Sequence, residues 1–189
     1  MSRRIAILVA LLGFAPLASC GHPPAQETHT PAILPRQGAM EVEPIGESRV
    51  AAGQTIYVPA YSSIPISDRA EPFDLAVTLG IRNADRAHPI VVTTVGYYDQ
   101  DGQLVRDYLK KPLRIAPMAS VGFFVAESDR RAGVLASFLV QWVAEQEVTT
   151  PIVESVMVGV ASSRGVSFIS PGRVIADRSR PRPGENPGR

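Results

Sequence analysis

Cys20 is the only cysteine among the 189 residues and the side chain best suited to covalent chemistry. It closes the tetrapeptide Leu17-Ala18-Ser19-Cys20, which ends an uncharged apolar run from Ile5 to Leu17. Arg3 and Arg4 precede that run, so residues 1–20 show the basic, apolar and small-residue parts of a secretory signal. The apolar run is shorter than the roughly 20 residues that a membrane-spanning helix needs. A thiol at this position can act as the nucleophile of a lipid transfer.

The tetrapeptide resembles the bacterial lipobox, in which Leu and two small residues precede an obligatory cysteine. The resemblance implies that Cys20 carries a diacylglycerol, that the bond after Ser19 is cut, and that acyl chains such as palmitate anchor the protein. An ordinary cleaved signal with an incidental or buried Cys20 is the alternative. Because Gly21 stands where inner-membrane lipoproteins often carry Asp, we expect a periplasm-facing outer-membrane protein rather than an inner-membrane one.

Other groups that could bind a metal ion or catalyse a reaction lack the required partners. Asp99-Gln100-Asp101-Gly102 has the start of a calcium loop but not its distal ligands, so a hairpin turn is favoured. The histidines, His22, His29 and His88, do not occur at zinc-ligand spacing. We therefore expect no metal site, no cofactor and no catalytic residues, and we interpret the chain as a non-enzyme.

Glu154 interrupts an apolar strand and could be a carboxylate of perturbed pKa in a cleft. The favoured interpretation is an outward position paired with Arg82 or Arg173 across strands. Trp142 is expected in the core.

Four tyrosines leave a similar choice between binding and packing. They could form an aromatic binding surface, but tyrosines that cover a sandwich core with the hydroxyl in water are the favoured interpretation. The four are Tyr57, Tyr61, Tyr97 and Tyr98.

Composition and charge fit one globular domain on a spacer. The formal net charge is +1, and since residues 1–19 hold two arginines and no acid, the rest has −1. That balance argues against nucleic acid as a partner. We predict a signal peptide over 1–19, a lipidated Cys20 and Pro-rich linker over 20–53, a folded domain over 54–176 and a disordered basic tail over 177–189. An extra edge strand within Met40 to Val50 is the alternative for part of the linker.

Alternation of apolar and polar residues predicts strands throughout residues 54–176. The clearest is Phe73 to Ile81, and Ile90 to Tyr98 is β-branched and aromatic. The pattern predicts an all-β fold, an antiparallel immunoglobulin-like or fibronectin-like sandwich of seven or eight strands.

The outer side of the Phe73 to Ile81 strand provides the candidate interaction surface. Ala76, Thr78 and Gly80 share a face that is small and uncharged. Ile90 to Tyr98 is apolar on both faces, with Val91, Val95 and Tyr97 expected on one side and Ile90, Val92 and Tyr98 on the other. If the two strands are neighbours, Ala76, Thr78, Gly80 and Tyr98 form one patch. A covering loop or linker is the alternative.

Several motifs resemble a family of uncharacterised bacterial domains, domain-of-unknown-function family 3124. The resemblance spans about Gln54 to Ile175 and implies no known activity. The motifs are Gln54-Thr55-Ile56-Tyr57-Val58-Pro59-Ala60-Tyr61, Ile81-Arg82-Asn83, Tyr97-Tyr98-Asp99-Gln100-Asp101-Gly102, Phe138-Leu139-Val140-Gln141-Trp142 and Gly165-Val166-Ser167-Phe168-Ile169-Ser170.

Three functional hypotheses remain, and an enzyme is the least favoured of them. The first is an envelope lipoprotein held to the membrane by its lipid anchor, whose sandwich binds another envelope protein or itself. The second is a periplasmic domain that binds a small ligand or a metal ion through loops at one end of the sandwich. A deep pocket with converging polar groups would favour the second, and flat apolar patches the first.

Overall fold

The computed structural model describes residue 34 and residues 37–65, 72–161 and 164–178. Within these ranges the chain forms thirteen strands, one 3₁₀ turn at Glu47–Arg49 and no α-helix. No helix in the described part of the chain is long and apolar enough to cross a membrane. The all-β prediction is confirmed, but seven or eight strands was too few. Strands of two or three residues, such as Ser63–Ile64 and Leu113–Ile115, are too short to show an alternating pattern.

The strands are β1 (Ala39–Glu41), β2 (Ala52–Ala60), β3 (Ser63–Ile64), β4 (Phe73–Asp74), β5 (Ala76–Arg82), β6 (Ile90–Tyr98), β7 (Leu104–Asp107), β8 (Leu113–Ile115), β9 (Ser120–Val125), β10 (Ala136–Ala144), β11 (Ile152–Ala161), β12 (Arg164–Pro171) and β13 (Arg173–Asp177).

Two antiparallel sheets form the sandwich. The seven-stranded sheet has the order β1-β8-β6-β10-β2-β13, with β7 paired to β6. The four-stranded sheet has the order β12-β11-β5-β9, and β3 and β4 make a separate pair. Inward side chains of both sheets form one core, in which Val77, Leu79 and Ile81 of β5 accompany Phe138 and Trp142 of β10. Trp142 is 2% exposed, so its predicted burial is confirmed.

A β-bulge reverses the faces of β6 halfway along its length. The register against β10 pairs Gln141 with Thr94 but Trp142 with Val92, so Thr93 is the extra residue. Ile90 and Val92 before the bulge, and Val95 and Tyr97 after it, therefore all belong to the core cluster. The prediction that Val91, Val95 and Tyr97 share one face and Ile90, Val92 and Tyr98 the other is wrong. Strict alternation fails wherever one residue is inserted.

Asn83 and Asp85 tie several chain segments together at one end of the sandwich. The Asn83 amide nitrogen donates to the carbonyls of His88, Ile115 and Ala116 at 2.9, 3.2 and 3.1 Å. Asp85 accepts the backbone N–H groups of Ala87, His88 and Thr149, each at 2.8 Å. These donors hold the pKa of Asp85 well below its usual range. Asp85 therefore stays ionised and fastens the loop before β6 to the loop before β11.

The predicted hairpin at Asp99-Gln100-Asp101-Gly102 joins β6 to β7. The Asp99 carboxylate accepts the N–H groups of Asp101 at 3.0 Å and Gln103 at 2.7 Å. Gly102 has φ 77°, which glycine adopts without strain. The Asp99 carboxylate is thus used inside the turn.

The described part of residues 20–53 is more ordered than a linker. β1 pairs with β8, with Ala39 opposite Ile115, and β2 begins at Ala52. The alternative of an added edge strand is the better description here, because three residues suffice to pair at a sheet edge although they show no periodicity. The signal peptide, Cys20, the linker residues 21–33, 35 and 36, and the tail beyond Arg178 lie outside the described residues.

Gly172 lets the chain leave one sheet and enter the other. It follows β12 of the four-stranded sheet and precedes β13 of the seven-stranded sheet. Its N–H donates to the carbonyl of Val153 at 2.8 Å. A Cβ atom there would lie 2.6 Å from the Ile56 side chain and 2.8 Å from the Val153 carbonyl oxygen. Only glycine fits this approach without displacing backbone.

We predict that Gly172→Ala lowers the free energy of unfolding by about 1–3 kcal/mol, because the added methyl group overpacks the crossing. Gly80→Ala is the matched control, since its Cβ atom would be 3.5 Å from its nearest neighbour, the Arg82 side chain. Urea unfolding followed by the fluorescence of Trp142 measures both variants. Equal stability of the two variants would contradict the claim that only glycine fits at position 172.

Candidate functional site

The four residues of the predicted surface divide between the two sheets. Ala76, Thr78 and Gly80 point outward from β5, whose neighbours are β11 and β9. Tyr98 belongs to β6 of the seven-stranded sheet, whose neighbours are β10, β7 and β8. The structure therefore brings the first three residues together but does not bring Tyr98 to them, because β5 and β6 are consecutive in the chain but not paired.

Apolar side chains of the neighbouring strands extend the Ala76 and Thr78 surface. Thr78 lies opposite Val156 of β11 on one side and Phe124 of β9 on the other. Val156 in turn faces Ile169 of β12, and Val158 stands between Ala76 and Ser167. We call this set the outer face, and it comprises Ala76, Thr78, Phe124, Val156, Val158 and Ile169.

The outer face is exposed to solvent. Val158 is 46% exposed and Ile169 is 58% exposed. Among the described residues, four of the eleven exposed large hydrophobic side chains lie on β11 and β12 of this sheet. A contiguous exposed apolar patch of this kind is typical of a protein-interaction site.

Ion pairs flank the outer face at both ends of β5. Arg82 Nη1 donates to Glu154 Oε1 at 2.5 Å, and since Glu154 lies opposite Gly80, the pair is diagonal. The favoured interpretation of Glu154 as a cross-strand partner of an arginine is thus confirmed. At the other end, Arg130 pairs with Asp74.

An open depression of about 670 Å³ adjoins the outer face at the Asp74 end. Asp74 Oδ2 binds Arg130, whereas its buried Oδ1 has no hydrogen-bond partner in the described part of the chain. The lining residues are Asp74, Ala76, Phe124, Ala126, Glu127, Ser128 and Arg130. The depression thus offers charged groups beside apolar ones.

The seven-stranded sheet is covered differently, because residues 42–50 lie over its outer side. Ile45 separates two grooves there, of about 400 and 480 Å³. The larger groove contains the hydroxyls of the Thr93–Thr94 bulge, with Gln141 and Val143 beside them. The smaller contains His88, Arg49 and Arg114 with two glutamates, Glu43 and Glu145. The second functional hypothesis expected a small-ligand site in loops at one end of the sandwich, whereas these grooves lie on the outer side of the seven-stranded sheet.

The tyrosines do not form one surface. Tyr57 is exposed on β2, and Tyr61 packs edge-on against Phe168 at 5.6 Å between ring centroids. Tyr97 is fully buried, 4.8 Å from the ring of Phe138, and burial raises the pKa of its hydroxyl. The Tyr97 hydroxyl is buried with its ring, so the expectation that it reaches water is wrong.

The ionisable groups near Tyr97 form a structural network. Arg106 and Arg131 both pair with Asp129, and together they lower the pKa of Asp129. The Arg106 guanidinium also lies 5.4 Å from the centre of the Tyr108 ring. This network fixes the loop before β10 against β7.

His88 and the acidic residues provide no metal centre in the described residues. His88 Nδ1 lies 3.5 Å from Asp85 Oδ1, whose carboxylate already binds three backbone N–H groups. No group of three or more metal-binding side chains occurs within the described ranges.

Sequence reasoning missed Val156, Val158 and Ile169. A signal for the first two was present, because β11 is apolar on both faces: Val153 and Met157 point inward and Val156 and Val158 outward. The pairing of β11 with β5 and β12, which joins these residues to Thr78, is not encoded in any local pattern.

Comparison with known proteins supports the family but not a function. A crystal structure of Thermotoga maritima 1070 is 12% identical, with a TM-score of 0.40 over 64% of this chain and 92% of that one. That level of likeness carries no functional argument. No curated protein matches the chain significantly. The model of the family described as "Protein of unknown function (DUF3124)" matches residues 53–175, which include every strand from β3 to β12 and most of β2 and β13. The chain therefore belongs to the DUF3124 family.

Proposed function

We propose that this protein is a lipid-anchored envelope lipoprotein whose sandwich acts as a non-enzymatic protein-interaction module. The observation that carries the proposal is the exposed outer face of the four-stranded sheet. Residues 42–50 lie over the other sheet, whereas Val158 and Ile169 remain open to solvent. A soluble domain usually covers or charges such a face unless it contacts a partner.

The anchor is supported by the sequence around Cys20. A basic start, an apolar run and the lipobox-like Leu17-Ala18-Ser19-Cys20 together suit lipid transfer to the thiol. Two or more acyl chains would hold the protein firmly, since each buried methylene adds about 0.8 kcal/mol. Gly21 favours the outer membrane over the inner membrane, with the domain facing the periplasm.

A spacer between Cys20 and β1 remains a prediction from sequence, since the residues that suggest it, Pro23, Pro24, Pro31 and Pro35, lie outside the described residues. A spacer there would give an envelope module reach. A partner at some distance from the lipid surface could therefore be met by the sandwich.

A small-ligand binder is the second candidate, and the groove beside the Thr93–Thr94 bulge favours it. Bulges often lie next to binding sites, and here the Thr93 and Thr94 hydroxyls donate to the carbonyl and side-chain oxygens of Gln141, beside apolar Ile45 and Val143. An enzyme is the weakest candidate, because no described cluster combines a nucleophile with a base.

Cys20→Ser is predicted to abolish lipidation, because a hydroxyl cannot replace the thiol nucleophile. Labelling with an alkynyl fatty acid, followed by fractionation of membranes, measures the loss. The wild-type chain should be labelled and sediment with membranes, whereas the variant should be unlabelled. Equal labelling of both chains would refute the anchor.

Thr78→Arg is predicted to weaken partner capture by roughly tenfold or more, since a charged side chain then lies at the centre of the outer face. Its effect on unfolding should stay within about 0.5 kcal/mol, as for most surface positions. Crosslinking in the cell envelope, with adducts quantified by mass spectrometry, is the measurement.

Thr94→Arg is the matched control, because Thr94 lines the groove on the opposite sheet. Loss of capture only in Thr78→Arg supports the outer face as the interface. Undiminished capture by folded Thr78→Arg, or loss only in Thr94→Arg, would contradict it.

A further inference from the structure

Among the described strands, β12 is the one long sheet edge that no described feature protects. Natural sheets protect their edges with short strands, bulges, charges, prolines or covering segments. β1 has three residues, and β7 has four and a register shift against β6. β13 has five residues and a register shift against β2. At the edge strand β9, the N–H of Leu34 donates to the carbonyl of Gly122 at 3.0 Å.

Within the part of the chain that the structure describes, β12 has none of these protections over residues 165–170. It has eight residues, pairs only with β11, and keeps an unbroken register from Glu154↔Pro171 to Ala161↔Arg164. Its charged residue, Arg164, and its proline, Pro171, stand at the two ends. In an antiparallel strand, alternate residues point their N–H and C=O groups away from the existing neighbour. The free side of β12 is thus a template for another strand.

The outer face adjoins this free edge. Ile169 points outward from β12 beside Val156 of β11 and is 58% exposed. An added strand would therefore gain backbone hydrogen bonds from β12 and apolar contact with Ile169. This combination of backbone pairing with side-chain selection is the recognition mode called β-strand addition.

Charge decides which strand can bind there. Arg164 stands at one end of β12, and Arg173 is exposed just beyond its other end. A second copy paired antiparallel through β12 would place Arg164 of one chain near Arg173 of the other, which like charges oppose. An extended segment with acidic flanks has the complementary charge.

From this edge, face and charge we infer that β12 binds an extended segment of another protein, apolar at alternate positions and acidic at its flanks. The inference rests on the proposed function, that the sandwich binds a protein, and specifies the mode and the chemistry of the partner.

Peptide binding to the full-length protein in detergent tests the inference. The probe is a fluorescent peptide of about nine residues, with alternating Val and Thr between Asp-Glu flanks. One control peptide has Lys flanks, and another has N-methyl groups on alternate backbone nitrogens. We expect saturable anisotropy for the acidic peptide, at least roughly tenfold weaker binding of each control, and weakening with added salt.

Two protein variants localise the site. Ile169→Glu should weaken binding of the acidic peptide at least roughly tenfold, whereas Leu104→Glu, at a similarly exposed position on β7, should not. Arg173→Glu should weaken the acidic peptide and strengthen the Lys-flanked one, which a general loss of folding cannot do.

Equal binding of the N-methylated peptide would overturn strand addition, and equal binding of the two flank types would overturn the charge argument. Absence of saturable binding at about millimolar peptide would also overturn the inference. If envelope crosslinking still depends on Thr78 in that case, the proposed protein-interaction function holds and only binding by β-strand addition is wrong. If crosslinking is also independent of Thr78, the proposed function fails as well.

Discussion

The close approach of Gly172 to β2 and β11 is the constraint on which the outer face and the β12 edge depend. Because position 172 has no Cβ atom, its N–H reaches the Val153 carbonyl and the chain passes from the four-stranded to the seven-stranded sheet within one residue. The crossing makes β12 the last strand of one sheet and β13 the last strand of the other. A side chain at position 172 would push the two edges apart.

The two sheets differ in what lies over their outer sides, and that difference points to the site. Residues 42–50 lie against the seven-stranded sheet and leave grooves beside Ile45. On the four-stranded sheet, Leu34 lies over Gly122 at the β9 edge, and Val158 and Ile169 nearer β12 remain exposed. The uncovered region therefore coincides with the unprotected edge. An apolar face and unpaired backbone groups that remain in water stabilise the fold less than covered ones do. A partner that binds there would bury the face and pair the backbone groups.

Sequence periodicity predicted the elements that alternate over five or more residues, and it failed where the alternation is short or interrupted. The strand from Phe73 to Ile81 was predicted with the correct inward face, although the structure divides it at Leu75. β1 and β8 are too short for any pattern. The extra residue at Thr93 reversed the predicted faces of β6.

The sequence predicted one part of the candidate surface correctly and the other part wrongly. Thr78 was correctly placed outward because a strand's own alternation determines its faces. Tyr98 was wrongly joined to it because partner choice between strands is a long-range property, as the pairing of β5 with β11 shows. The motifs on which the family resemblance rested mostly serve the fold: Asn83 ties loops, Asp99 closes a hairpin, and Trp142 fills the core.

Amide hydrogen exchange along β12 of the full-length protein tests the central claim most directly. In the free protein, alternate amides of residues 165–170 should exchange faster than those of β11, which is paired on both sides. Addition of the acidic-flanked peptide should slow exchange of those same β12 amides and leave β1 unchanged. Uniformly slow exchange along β12 in the free monomer, or peptide-induced protection at Thr93 and Thr94 instead, would contradict the account.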